Sequence, residues 1–201
     1  MDSKIVPPVK CKRGDLWDVN NYRAIAISTS LSKLFEHVLA ALLRTANDSD
    51  RYQFGFKSGH STALCTSVLK RTVDYYINRG SHVFAGFMDL RKAFDKVNYW
   101  KLFNKLLDNK INSNIIRMLA FWYCKQEVCV RWHSTISSSF TIGNDTRQGG
   151  ELSPFMFTRY IRDILLNIAC SKIECNVGGF YNNVLAYADD RVLLAPSWKA
   201  L

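Results

Sequence analysis

No stretch of the 201 residues comes near the roughly 18 uninterrupted apolar side chains of a membrane span, so none is expected. Met1 to Arg13 lacks an apolar core long enough for a signal peptide, which places the expected location inside the cell, in nucleus or cytoplasm. Acidic residues are scarce: 17 Asp and Glu face 27 Lys and Arg, for a formal net charge of +10. That imbalance suits a polyanionic partner, because basic side chains that neutralise phosphates release counterions. The four histidines show no metal-ligand spacing. Six cysteines stand at 11, 65, 124, 129, 170 and 175, and the pairs 124/129 and 170/175 are five apart rather than in Cys-x-x-Cys spacing. They read as free thiols of a reducing compartment and not as a zinc site. Repeats and low-complexity segments are missing too, which excludes solenoid and disordered classes.

What is present is a core-forming chain, 48% hydrophobic, long enough for one or two domains. The first 20 residues are polar, with Pro7-Pro8, and are expected to be extended. Lys10-Cys11-Lys12-Arg13 reads as a solvated tail or a weak nuclear-import patch. Ser30 or Ser32 is expected to cap a helix through Arg44, with Leu31, Leu34, Phe35, Val38, Leu39 and Leu42 facing the core. A loop follows over Asn47 to Tyr52. A second helix is expected from Thr62 to Arg79, with Leu64, Val68, Leu69 and Tyr76 inward and Gly80 as its stop. His82 to Met88 reads as a strand ending in Asp89. Helices capped by Asn98 and Ser113 come next, then a hairpin over Glu127 to Trp132 and Ser138 to Ile142. Gly143 to Gly150 is a polar loop, and Ser153-Pro154 opens a helix to about Cys170. Gly178-Gly179 punctuates the final hairpins. This order implies an α+β fold, helices packed on one face of an antiparallel sheet.

Tyr187-Ala188-Asp189-Asp190 lies between the apolar runs Val184 to Ala186 and Val192 to Ala195, a strand, an acidic turn and a returning strand. Alone, Asp-Asp between strands is an ordinary solvated turn. About 100 residues upstream Asp89 ends another strand, and a carboxylate there can face the pair if both strands share a sheet. Hard cations such as Mg²⁺ take oxygen ligands, and two of them can stabilise the attacking and leaving oxygens of a phosphoryl transfer. Adjacent strand residues point to opposite faces, so Asp89 and Asp189 are the expected principal ligands and Asp190 a secondary one.

These strings resemble a known family. Asp89 to Asp95, Arg147-Gln148-Gly149-Gly150-Glu151-Leu152-Ser153-Pro154 and Tyr187 to Asp190 are similar to the ordered palm motifs of reverse transcriptases. Asn21-Tyr22-Arg23-Ala24-Ile25, Leu31 to Glu36 and Gln53-Phe54-Gly55-Phe56-Lys57-Ser58-Gly59 resemble the fingers motifs of non-LTR (LINE-like, jockey-type) retrotransposon polymerases. The Gln53 to Ser58 string argues against a group II intron lineage. The resemblance runs from about Asn20 to the C-terminus. It implies a right-hand polymerase fold with residues 1–19 as an extended segment, 20–80 as fingers and 81–201 as palm, the thumb absent. It implies an RNA-directed DNA polymerase using two Mg²⁺ ions, with Mn²⁺ as a substitute, an RNA template, a DNA primer and dNTPs. Phe94 would be the aromatic gate against the 2′-hydroxyl. Gln148 and Gly149 would contact the incoming nucleotide and template. Arg23 and Lys57 are candidates for the triphosphate, since a cation offsets the charge of departing pyrophosphate. Asp95 is expected to brace its turn.

Departures stand beside the matches. Ala24 replaces a usual Pro, Glu151 charges its loop, Arg162 precedes Asp163 where an acidic pair is common, and Arg191 follows the acidic turn. A cation there is expected to pair with Asp190 and compete with metal. The alternative reading is a catalytically decayed remnant that binds RNA or DNA without enzymatic activity.

Overall fold

The computed structural model describes residues 2–43, 51–90, 93–143, 149–171 and 175–201. Arg44, the loop residues 47–50, Arg91, Lys92, Arg147 and Gln148 therefore lie outside the described residues. In chain order the elements are β1 (Asp2–Val6), β2 (Ile25–Ile27), α1 (Ser30–Leu43), α2 (Thr62–Ile77), β3 (Phe84–Asp89), α3 (Tyr99–Asp108) and α4 (Ser113–Cys124). There follow β4 (Glu127–Trp132), β5 (Thr135–Ile136), β6 (Phe140–Thr141), α5 (Ser153–Cys170), β7 (Asn176–Val177), β8 (Phe180–Tyr181), β9 (Val184–Tyr187) and β10 (Asp190–Ala195). Two compact units result, Met1–Asp48 with Phe94–Tyr160, and Ser49–Ala93 with Ile161–Leu201. Among the described residues no helix is long and apolar enough to cross a membrane.

In the first unit the strand order is β2-β1-β4-β5, with β6 also on β4. β1 runs antiparallel to β2 and parallel to β4, so this sheet is mixed. α3 and α4 meet through Tyr99 and Phe103 against Tyr123, with ring centroids 4.9 and 6.3 Å apart, and Leu102, Leu106 and Leu119 are fully buried. Burying each such leucine contributes about 1.5–3 kcal/mol. The Asn98 side chain accepts from the Lys101 N–H at 3.0 Å and caps α3 as expected. The other caps shift: Thr29 Oγ1 accepts from Ser32 N–H and Asn112 Oδ1 from Asn114 N–H, so neither Ser30, Ser32 nor Ser113 is the capping residue, and Ser153 is already the first residue of α5, with Leu152 O accepting the Met156 N–H. The face of α1 also differs from expectation. Leu39 is buried and Phe35 half-buried as expected, but Leu31, Leu34, Val38 and Leu42 are exposed, and Ser32, Glu36, Ala40 and Leu43 are buried instead. The reason is polar: the Glu36 carboxylate accepts the Glu151 N–H at 2.8 Å, which turns the Ser32 and Glu36 stripe inward.

In the second unit β3, β10 and β9 form an antiparallel sheet in that order. One side of it buries Leu185 and Leu194 with Phe54 and Cys175, against Cys65, Val68, Leu69 and Tyr76. Leu64, expected inward on α2, is exposed, and Cys65 takes the inward place. Ser61 caps this helix at Leu64 N–H, and Gly80 ends the segment with φ +71°. β7 and β8 are joined by Gly178 and Gly179, whose φ values of +60° and +84° fit a two-residue hairpin loop.

All six cysteines are free thiols. Burial pushes the Cys65 and Cys175 thiols up, with the Tyr76 hydroxyl partly offsetting this at Cys175. A raised thiol pKa favours the neutral form. Its contribution to stability is whole below the unfolded thiol pKa of about 8.5 and is lost as pH rises through the folded value. At pH 8 iodoacetamide is expected to label the exposed Cys11, Cys124 and Cys170 first. Cys175 should react about tenfold more slowly or less until the chain unfolds, read by peptide mass spectrometry.

Candidate active site

The acidic turn is built by register. Tyr187 pairs with Asp190, which leaves Ala188-Asp189 as a two-residue loop. Such loops match strand twist only when the first central residue takes positive φ, usually as glycine. Here that residue is Ala188, at φ +57°. A left-handed alanine costs roughly 1–2 kcal/mol, so something must hold it.

Gln53 does. The Tyr52–Phe54 segment lies alongside β9, with Phe54 N–H donating to Ala186 O at 2.8 Å and Ala186 N–H donating to Tyr52 O at 2.9 Å. From there the Gln53 carboxamide reaches the turn. Nε2 donates to Ala188 O at 3.0 Å, and Oε1 accepts from Ala188 N–H at 3.0 Å and from Gly55 N–H at 2.8 Å. Each such bond is worth about 0.5–1.5 kcal/mol net, enough together to offset the strain. Gly55 allows the close approach: a Cβ there would sit 2.4 Å from the Ala188 nitrogen.

β10 continues the register to β3, where Asp190 stands directly opposite Asp89. Opposed residues of an antiparallel pair share a face, so these two carboxylates lie side by side with Asp189 in the adjoining loop. Asp89 and Asp190 are exposed and Asp189 is half-buried. Arg191 pairs instead with Met88 and Ala186, on the other face. Its guanidinium is buried, and Nη1 donates to the Asp189 carbonyl at 3.4 Å. Burial pulls its pKa down, while Asp189 and Asp190 hold it up. Arg191 thus bonds the backbone of the turn from behind, since alternation sends neighbouring side chains to opposite faces, while the expected attraction to Asp190 persists electrostatically.

Among the described residues no group of three or more His, Cys, Asp or Glu side chains is gathered closely enough to hold a metal ion by itself. Mg²⁺ asks for less. It is commonly held by one or two carboxylates, with water and substrate phosphates completing the shell. Asp89 and Asp190 stand in register, with Asp189 in the adjoining loop, as carboxylates of the hard-oxygen type such an ion takes.

Residues 10–201 match the family model described as Reverse transcriptase (RNA-dependent DNA polymerase). This chain belongs to the reverse transcriptase family. It is 27% identical over 150 residues to the probable RNA-directed DNA polymerase from transposon X-element of Drosophila melanogaster, covering 72% of this chain and 16% of that protein. It is 25% identical over 185 residues to the Pol polyprotein from type-1 retrotransposable element R2 of Popillia japonica, covering 91% and 26%. With the polymerase from mobile element jockey of Drosophila funebris the identity is 24% over 188 residues, covering 90% and 20%. The chain thus spans between 16% and 26% of these relatives' lengths. Its fold resembles that of apo telomerase from Candida Tropicalis, with a TM-score of 0.64 at 11% identity, covering 98% of this chain and 40% of that one. Telomerase from Candida albicans in complex with a TWJ fragment of telomeric RNA scores 0.63 at 12% identity, covering 98% and 38%.

The other residues expected to serve a reverse transcriptase divide between the units. Lys57 is half-buried in the unit that holds the three aspartates. Arg23, Phe94 and Gly149 belong to the other. Arg23 is exposed, its N–H bonded to Pro8 O. Phe94 stacks on Phe157 of α5, with ring centroids 4.5 Å apart. Gly149 has φ +103°, and a Cβ there would lie 2.8 Å from Ala26 O of β2, so glycine is required on two counts. Gln148 is outside the described residues. Gln53 and Gly55 were visible only as letters of a fingers string; a glutamine flanked by aromatics and followed by Gly55 was the one signal of a buried polar contact.

Proposed function

We propose that this reverse transcriptase domain acts as an RNA-directed DNA polymerase of a mobile element, adding dNTPs to a primer 3′-hydroxyl on an RNA template. The observation that carries the reading is the register: Asp190 opposite Asp89, one residue after a turn that presents Asp189. Two bound Mg²⁺ ions would supply charge stabilisation at the attacking and leaving oxygens. Asp89, Asp189 and Asp190 would hold them, and their clustering of negative charge at one end of a sheet is otherwise unfavourable. Arg23 and Lys57 would offset phosphate charge. Phe94, held flat against Phe157, has the rigidity a gate against the 2′-hydroxyl needs. Gln148 and Gly149 would contact the incoming nucleotide and template. Residues 20–80 would serve as fingers and 81–201 as palm. The relatives from transposon X-element and mobile element jockey, both RNA-directed DNA polymerases by name, and the RNA-bound telomerase of similar fold support an RNA template.

The test is primer extension on an RNA template. Incorporation of dNTPs is expected, with Asp189→Ala abolishing it. Extension that survives the substitution overturns the assignment. Salt-dependent RNA binding without incorporation overturns it in favour of a non-catalytic remnant.

A further inference from the structure

Gln53 is wholly excluded from solvent, yet its amide is aimed at one residue of a hairpin loop, Ala188, and at its own strand through Gly55. The peptide groups of a two-residue loop normally bond to water and are free to flip. A flip of the peptide that follows Ala188 interconverts turn types and swings the next side chain. A carboxamide is the one side-chain group that presents a donor and an acceptor in the arrangement of a backbone peptide, so it can engage both the N–H and the C=O of a single residue. Glutamate has no donor, methionine has neither, and asparagine is one methylene short.

From these contacts we infer that Gln53 is a positioning residue for Asp189. Its carboxamide, anchored along β9 by the backbone bonds of Tyr52 and Phe54 to Ala186, locks Ala188 in its left-handed conformation. That lock sets the direction in which the Asp189 carboxylate leaves the hairpin. Gly55 completes the cradle by letting the strand press against the Ala188 nitrogen. The consequence for catalysis rests on the polymerase reading; the clamp itself is a property of the fold. A displacement of about 1 Å at reacting groups can cost on the order of 100-fold in rate, so loosening the turn should reach the chemistry without any contact between Gln53 and substrate.

Two measurements on Gln53→Met, which keeps length and loses both polar atoms, test this. Amide hydrogen exchange of Ala188, whose N–H is bonded to Gln53 Oε1, is expected to quicken at least about tenfold while amides of the β3–β10 ladder keep their protection. In RNA-templated primer extension, kcat is expected to fall about 10- to 100-fold with KM for dNTP within about threefold. A general loss of stability would instead move exchange throughout the ladder. If Q53M does not fold, Gln53→Asn, which keeps the carboxamide but falls one methylene short of both Ala188 contacts, gives the same readings. The clamp is overturned if Ala188 exchanges as fast in the unsubstituted chain as in the variant, and the positioning of Asp189 by it is overturned if kcat stays within about twofold. Should the unsubstituted chain extend no primer, the polymerase reading fails, and the exchange of Ala188 still decides whether the clamp exists.

Discussion

Asp89→Asn is expected to abolish RNA-templated primer extension while leaving the fold intact or slightly firmer. Asp89 ends an edge strand, is exposed, and faces Asp190 across the β3–β10 pair. Like charges directly opposite in a sheet are destabilising by roughly 0.2–1 kcal/mol. Removing one relieves this, and at about 2–4 °C per kcal/mol the melting temperature should hold or rise by a few degrees. Asparagine keeps the shape of the side chain and half of its oxygen donors, so a purely steric role would survive. The charge that offsets a divalent cation does not. Loss of about 4 kcal/mol of transition-state stabilisation corresponds to about a thousandfold in kcat, and that is the drop expected. A structural role would lower stability and activity together; an active-site carboxylate separates them. Retention of more than about a tenth of the rate would place Asp89 outside the machinery.

That pairing of Asp89 with the acidic turn was legible because two independent features of the chain agree on it. A strand that breaks off at a carboxylate, and a two-residue acidic loop between apolar runs, can meet only where both strands end in one sheet. The face of α1 was not legible in the same way. Its apolar residues fall at helical spacing, which gives the period of the helix but not the phase of its buried stripe. Phase is chosen by the partner, and here the partner is a backbone N–H at Glu151 that draws Glu36 inward and leaves Leu31, Leu34, Val38 and Leu42 outside. The helix caps moved by one residue for a related reason: Thr29, Ser30 and Ser32 are all competent acceptors, and local geometry alone selects among them.

The clamp on Ala188 was hidden for a different reason. Gln53 and Ala188 are 135 residues apart, and neither the alanine's positive φ nor the amide's burial has a local signature. Glutamine is ordinarily a surface residue. Only the trace of Tyr52 to Phe54 along β9 brings the two together. What the chain does show locally is the glycine two residues later, and it is there that the fold is least tolerant.

Gly55→Ala is accordingly expected to be the most disruptive single-methyl change in the second unit. The added Cβ would lie 2.4 Å from the Ala188 nitrogen and 3.0 Å from its Cα. Both are backbone atoms of a turn already pinned on either side, so neither can swing away as the end of a long side chain would. Relief requires the 53–55 segment to lift off β9. That loosens the bonds of Phe54 and Tyr52 to Ala186 and those of Gln53 to Ala188 together. Overpacking of this kind costs about 1–3 kcal/mol before the lost bonds, at about 0.5–1.5 kcal/mol each, are added. A total near 3–5 kcal/mol corresponds to a fall of very roughly 6–20 °C in melting temperature at about 2–4 °C per kcal/mol. Gly143→Ala is the control, since a Cβ there meets nothing within 4 Å and no positive φ is involved; it should melt within about a degree of the unsubstituted chain. Thermal melts followed by circular dichroism check both. Equal tolerance of the two substitutions would mean that the Gln53–Gly55 strand does not press on the turn, and the geometric basis for holding Asp189 would go with it.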